Sequence, residues 1–186
     1  MPHINLPSEI PGIGSAFAFR PETAKPMREL AHVLLFDPGS DASLNSRDRE
    51  LIASYVSSRN TCHFCQASHG AAAAHHVGGS PELVDAVCSD HSTADVSPKL
   101  KALLEIAAHV QGDAKTVTPE LVDKARQQGA SDLDIHDTVL IAAAFCMYNR
   151  YVDGLATWQP RGEEAYKAMG KRLAESGYRQ PAEPSK

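Results

Sequence analysis

A chain of 186 residues with 42% hydrophobic and 22% charged side chains holds enough apolar material for one packed core and is too short for two independent ones. Its formal net charge of -5, with Lys and Arg scattered along the sequence, offers no basic face to a phosphate backbone and argues against nucleic acid as a partner. The longest unbroken apolar stretch runs only from Val139 to Met147, far short of the roughly 20 residues that span a bilayer.

The first twenty residues carry three prolines and Glu9, without the basic head and apolar run of a secretory signal, so a cytoplasmic protein with no membrane segment is expected. The same prolines forbid a continuous helix, and residues 1–21 read as an extended arm packed over the surface. A helical domain is expected over residues 22–178 and a disordered tail over 179–186. Its first helix starts at Pro26, carries Met27, Leu30, Ala31, Leu34 and Leu35, and ends before Asp37-Pro38-Gly39. Ser46 is placed to cap a second helix with the stripe Leu51, Ile52, Tyr55, Val56, and Glu50 lies in its second turn. An Ala-rich helix follows from Cys62 to Val77 and closes at Gly78-Gly79.

Ser80-Pro81, Ser97-Pro98 and Thr118-Pro119 each pair a capping residue with a proline suited to the first helical position. Ser131, with Asp134 three later, opens a long apolar helix through Leu140, Ile141, Phe145 and Tyr148, and a last amphipathic segment runs from about Gly162 to Glu175. No period-2 alternation competes with these signals. The fold class is therefore all-α, a single-domain bundle of about seven helices.

Residues 62–69 read Cys-His-Phe-Cys-Gln-Ala-Ser-His, which puts Cys62, Cys65 and His69 on one helical face. Two thiols at that spacing can close a disulfide, and their place at a helix start favours the thiolate. An imidazole one turn further on can exchange a proton with Cys65 near neutral pH. A reversal at Arg59 to Thr61 can fold Glu50 back against His69 and orient its ring.

Glu50, eleven residues, Cys62, two residues, Cys65, three residues and His69 together resemble the signature of the alkyl hydroperoxidase D-like branch of the carboxymuconolactone decarboxylase superfamily. The run from Asn149 to Leu155 is similar to a segment near the C-terminus of the peroxidase-related members. The resemblance implies an all-helical AhpD-like fold, a homo-oligomer such as a trimer or hexamer, and reduction of hydroperoxides at the expense of an external dithiol donor. It makes Cys65 the peroxidatic thiol, Cys62 the resolving one, and Glu50 with His69 a proton relay. The chain departs from the pattern at Phe64, where a second relay histidine precedes the second cysteine in some members; His63 projects about 100° away from that position.

No glycine-rich phosphate loop follows a strand, so no organic cofactor is implied. A structural zinc site would draw on Cys62, Cys65, His69 and either Glu50 or His63, but the chain has no second ligand pair to close it; no metal is expected. Cys88 and Cys146 read as structural, and His75 and His76 as dipole partners at a helix end. The alternatives to a thiol peroxidase are a lyase like the decarboxylase branch, which has no use for a redox pair, and a zinc-stabilised binding protein without catalysis.

Overall fold

Capping residues and prolines punctuate the chain, and the computed structural model, which describes residues 1–179, shows nine α-helices and no strand among those residues. They are α1 (Ile13–Phe19), α2 (Pro21–Leu35), α3 (Ser46–Arg59), α4 (His63–His75), α5 (Glu82–Asp90), α6 (Pro98–Asp113), α7 (Pro119–Gln127), α8 (Asp132–Gly154) and α9 (Glu163–Ser176), with a 3-10 turn at Ala114–Thr116.

The all-α reading holds, with more helices than the expected seven or so. The extended arm over residues 1–21 is corrected: its first three prolines precede Ile13 and the fourth, Pro21, follows Phe19, so they leave room for α1. Ser15 Oγ donates to the Gly12 carbonyl at the start of α1, and Pro21 stops it by restricting the preceding Arg20. Pro21, not Pro26, takes the first position of α2, and Pro26 lies inside it at the cost of one helical hydrogen bond. The tail from residue 180 onward lies outside the described residues.

The expected starts hold in part: Thr118-Pro119 opens α7 without a side-chain cap hydrogen bond, and the Ser80-Pro81 start is corrected, since Pro81 is itself the N-cap of α5 and the helix begins at Glu82. Asn45, one residue before the expected Ser46, caps α3 by accepting the Asp48 N–H at 2.9 Å. Ser97 caps α6, and Ser131 and Asp134 form the full reciprocal box of α8.

Helix α3 is buried on nearly every face because it packs against α4, α6 and α8 together. Arg49 is 0% exposed there. Its guanidinium meets Asp137 at 2.7 Å and donates to the Leu34 and Leu44 carbonyls at 2.8 and 3.0 Å. The buried charge is thus paired and its donors are used, the condition for tolerating it. Helix α4 packs closely on α3 and α9. A Cβ on Gly170 would meet the Ala71 carbonyl carbon at 2.4 Å, so only glycine lets α9 approach α4 this closely. The two chemistry-bearing helices, α3 and α4, are therefore fixed against each other and clamped from outside by α9.

Candidate active site

The turn from α3 to α4 sets the first cysteine. Thr61 adopts φ 58°, a left-handed conformation that costs a β-branched residue roughly 1–2 kcal/mol. The Cys62 N–H then donates back to the Ser57 carbonyl at 3.0 Å. Next to it, Asn60 Nδ2 donates to Asn149 Oδ1 at 2.8 Å, and Asn149 Nδ2 donates to Ser57 Oγ at 3.0 Å. This polar lattice between α3 and α8 pins the reversal. Cys62 occupies the N-cap of α4 without a side-chain cap hydrogen bond, and Cys65 lies in the first turn, so both thiols sit at the positive end of the helix.

Both cysteines are unoxidised and buried, Cys62 at 0% exposed and Cys65 at 3%. They share a small apolar cluster with Phe64, Val152 and Tyr166. The Cys65 thiol is held well above the ordinary thiol value, first by its hydrogen bond with Cys62 and then by burial; a hydrogen bond from Asn149 acts in the opposite direction. Deprotonating Cys65 therefore requires a base close by.

One turn further along α4, an imidazole is oriented from α3. Glu50, 2% exposed, accepts from His69 Nδ1 at 2.8 Å through Oε2. With the Nδ1 proton directed at a carboxylate, a neutral imidazole leaves Nε2 as its proton acceptor. The ring is wedged edge-on against Phe145, with centroids 4.6 Å apart, and stacks parallel to Tyr178 at 5.9 Å.

Tyr178 is the residue that reading the sequence missed. Its hydroxyl donates to Glu50 Oε1 and lies 3.3 Å from His69 Nδ1. Burial, and then the Glu50 charge, push its pKa well above the ordinary 10.0, so it remains a donor. The available signal was Gly177, which ends α9 at φ 68° and turns the chain back into the core. A Cβ on Gly177 would strike His32 Nδ1 at 2.6 Å, and the Tyr178 N–H donates to that same nitrogen at 3.3 Å.

A cavity of about 580 Å³ opens beside these groups, within the usual range for small-molecule sites. Cys65, Ser68 and His69 line it and Cys62 does not. Ile10, Pro11, Ile13 and Gly14, leading into α1, contribute to its wall. Gly12 lies flat against the Phe64 ring, where a Cβ would come within 2.1 Å of the ring carbons, so Phe64 is a packing residue that seats the N-terminal segment over the thiols. His63 is exposed and edge-on to Tyr166. The Tyr166 hydroxyl is buried with no hydrogen-bond partner among the described residues. Nor, among those residues, do three or more His, Cys, Asp or Glu side chains converge as metal ligands. No helix among them is long and apolar enough to cross a membrane.

The structure thus brings Glu50 and His69 into direct contact and sets Cys65 and Cys62 at the head of the same helix as His69. Asn149, the first residue of the run that resembles the peroxidase-related members, belongs to the surroundings of Cys65 as well.

Comparison with known proteins bears on the fold and the family. The carboxymuconolactone decarboxylase family model matches residues 21–109. No curated protein matches the chain. Among solved structures, the alkylhydroperoxidase AhpD core of an uncharacterized peroxidase-related protein from Ralstonia eutropha is 25% identical, with a TM-score of 0.75, covering 87% of this chain and 82% of that one. An uncharacterized peroxidase-related protein from Silicibacter sp. is also 25% identical at a TM-score of 0.75, covering 87% of this chain and 81% of that one. A protein of unknown function from Agrobacterium tumefaciens, 21% identical, shares the fold at a TM-score of 0.69 over 87% of this chain and all of its own. The chain is therefore similar to the carboxymuconolactone decarboxylase family over residues 21–109, and its all-α fold is AhpD-like.

Proposed function

We propose that the chain is a thiol-dependent peroxidase that reduces organic hydroperoxides. The observation that carries this reading is the asymmetry of the thiol pair: Cys65 opens on the cavity beside His69, whereas Cys62 sits behind it, fully buried. The substrate then meets one thiol, and the other waits to resolve the product. The peroxidase-related description of two structural neighbours is consistent with it.

His69 Nε2 takes the Cys65 proton, with Glu50 holding the ring and stabilising the imidazolium. The thiolate attacks the distal peroxide oxygen, the O–O bond breaks, and the alkoxide takes the proton back from His69 and leaves as the alcohol. Cys65 is now a sulfenic acid. The Cys62 sulfur displaces its hydroxyl as water and closes the Cys62–Cys65 disulfide. An external dithiol donates two electrons and two protons to regenerate the pair. Neither a metal nor an organic cofactor takes part. Self-association as a trimer or hexamer belongs to the same reading, and light scattering measures it directly.

The test is consumption of a stoichiometric amount of cumene hydroperoxide by the pre-reduced protein. Wild type should consume it, Cys65→Ser should not, and Cys62→Ser should stop after one event with a sulfenic acid that dimedone traps at Cys65. Consumption by Cys65→Ser at the wild-type rate would overturn the reading.

A further inference from the structure

The cavity beside Cys65 is apolar along most of its wall but cationic at one end. Its described lining contains Arg28, Arg172 and Arg179 and no Asp or Glu, in a chain of formal net charge -5. Arg179 is neutralised by Glu29, 2.8 Å away. Among the described residues, Arg28 and Arg172 have no carboxylate within ion-pair distance.

Arg28 is the more committed of the two. Its guanidinium lies 4.8 Å above the Phe17 ring centre, and Nη1 reaches the Tyr178 carbonyl at 3.4 Å. Its Nε is buried and has no acceptor among the described residues. Burial, and then the charge of Arg172, hold the Arg28 pKa below its ordinary value. Two guanidiniums thus line one largely apolar cavity without a carboxylate partner, and one of them has an idle buried donor. A carboxylate suits them, because its two oxygens match the planar donor fork.

We propose that Arg28 and Arg172 form a carboxylate-binding end of the cavity, so that the protein takes hydroperoxides built on an apolar chain bearing an acid group, such as a fatty-acid hydroperoxide. The acid group sits on the two arginines, the hydrocarbon lies against Ile13, Met169 and Leu173, and the peroxide reaches Cys65. The hydroperoxide half of this assignment rests on the peroxidase reading above, while the carboxylate half does not.

Two measurements separate the halves. The first is calorimetric binding of dodecanoate and of methyl dodecanoate to Cys65→Ser protein, which needs no turnover. The acid should bind at least about tenfold more tightly than the ester, as a charge-assisted hydrogen bond allows, with an advantage that shrinks as salt rises. Arg172→Gln, at an exposed position, should bring the ratio toward one, and Arg28→Gln should do the same. Because acid and ester are compared within each variant, partial loss of folded protein does not alter the ratio. The second is kcat/KM of wild type for linoleic acid hydroperoxide against its methyl ester, with the same tenfold preference expected. Equal binding of acid and ester, or a preference that survives both arginine substitutions, would overturn the proposal. Selective acid binding without turnover of either hydroperoxide would retain the anion site and remove the peroxidase reading instead.

Discussion

Tyr178 reaches back across 128 positions to donate its hydroxyl to Glu50 Oε1, while the other oxygen of the same carboxylate holds His69 Nδ1 at 2.8 Å. A buried carboxylate is costly unless its lone pairs are occupied, and here both oxygens have donors. The last described turn of the chain thus completes a hydrogen-bonded set that joins Tyr178, Glu50 on α3 and His69 on α4.

The carboxylate can be tested by Glu50→Gln, which keeps the shape and removes the charge. Without it, His69 loses the partner that fixes its orientation and stabilises its protonated form. Peroxide consumption should slow by about tenfold to a hundredfold, with the helical circular dichroism spectrum unchanged. Stopped-flow consumption at the wild-type rate would show that His69 does not depend on Glu50.

Tyr178→Phe removes one buried donor and leaves Glu50 Oε1 unpaired, so unfolding by denaturant should show a loss of about 1–3 kcal/mol. It should also change the alkaline limb of stability. In wild type the folded state keeps the Tyr178 proton above 10.0, where the unfolded chain releases it. This contribution is complete below that pH and declines as pH rises through it toward the higher folded value. The phenylalanine variant should lose stability less steeply above pH 10, and identical slopes would mean that Tyr178 titrates normally.

What could be read from the sequence was whatever local chemistry announces. Ser131 with Asp134 and Ser97 with Pro98 specify helix starts within a few residues of themselves, and the structure follows them. The Glu50–His69 contact was legible because the spacing of cysteines and histidine puts one face on α4, and a three-residue reversal leaves α3 little freedom about where to lie. Tyr178 was not legible, since it lies beyond α9 with no periodicity of its own and gains its role only through the turn at Gly177. Helix α1 was concealed by prolines that flank it without interrupting it. Arg28 and Arg172 come from α2 and α9 and line the same cavity only once α2 has packed on α3 and α9 on α4, a relationship that no local pattern encodes.

The close approach of α9 to α4 is testable at Gly170. In Gly170→Ala the new methyl group meets the Ala71 backbone, which cannot move aside as a flexible side chain would. Overpacking of this kind costs about 1–3 kcal/mol, enough to lower the melting midpoint measurably. Because α9 also leads to Tyr178, peroxide consumption should fall along with it. An unchanged midpoint would mean that the helices separate freely.

The elevated Cys65 pKa predicts sluggish alkylation at neutral pH. The rate constant for iodoacetamide at Cys65, followed by mass spectrometry in Cys88→Ser/Cys146→Ser protein, should still be climbing at 9.0, the ordinary thiol value, because the thiolate is the reactive form. A plateau below pH 8 would indicate a thiolate already present at rest and a lesser need for His69 as base.

The most direct test of the thiol mechanism is peptide mapping after a single turnover. Reduced protein is mixed with a stoichiometric amount of organic hydroperoxide, quenched with an alkylating agent and digested. The expected product is a Cys62–Cys65 disulfide in proportion to the peroxide consumed, with Cys88 and Cys146 still alkylated. Peroxide that persists beside four reduced thiols, or oxidation confined to Cys88 or Cys146, would contradict the assignment of Cys65 and Cys62 as the redox pair.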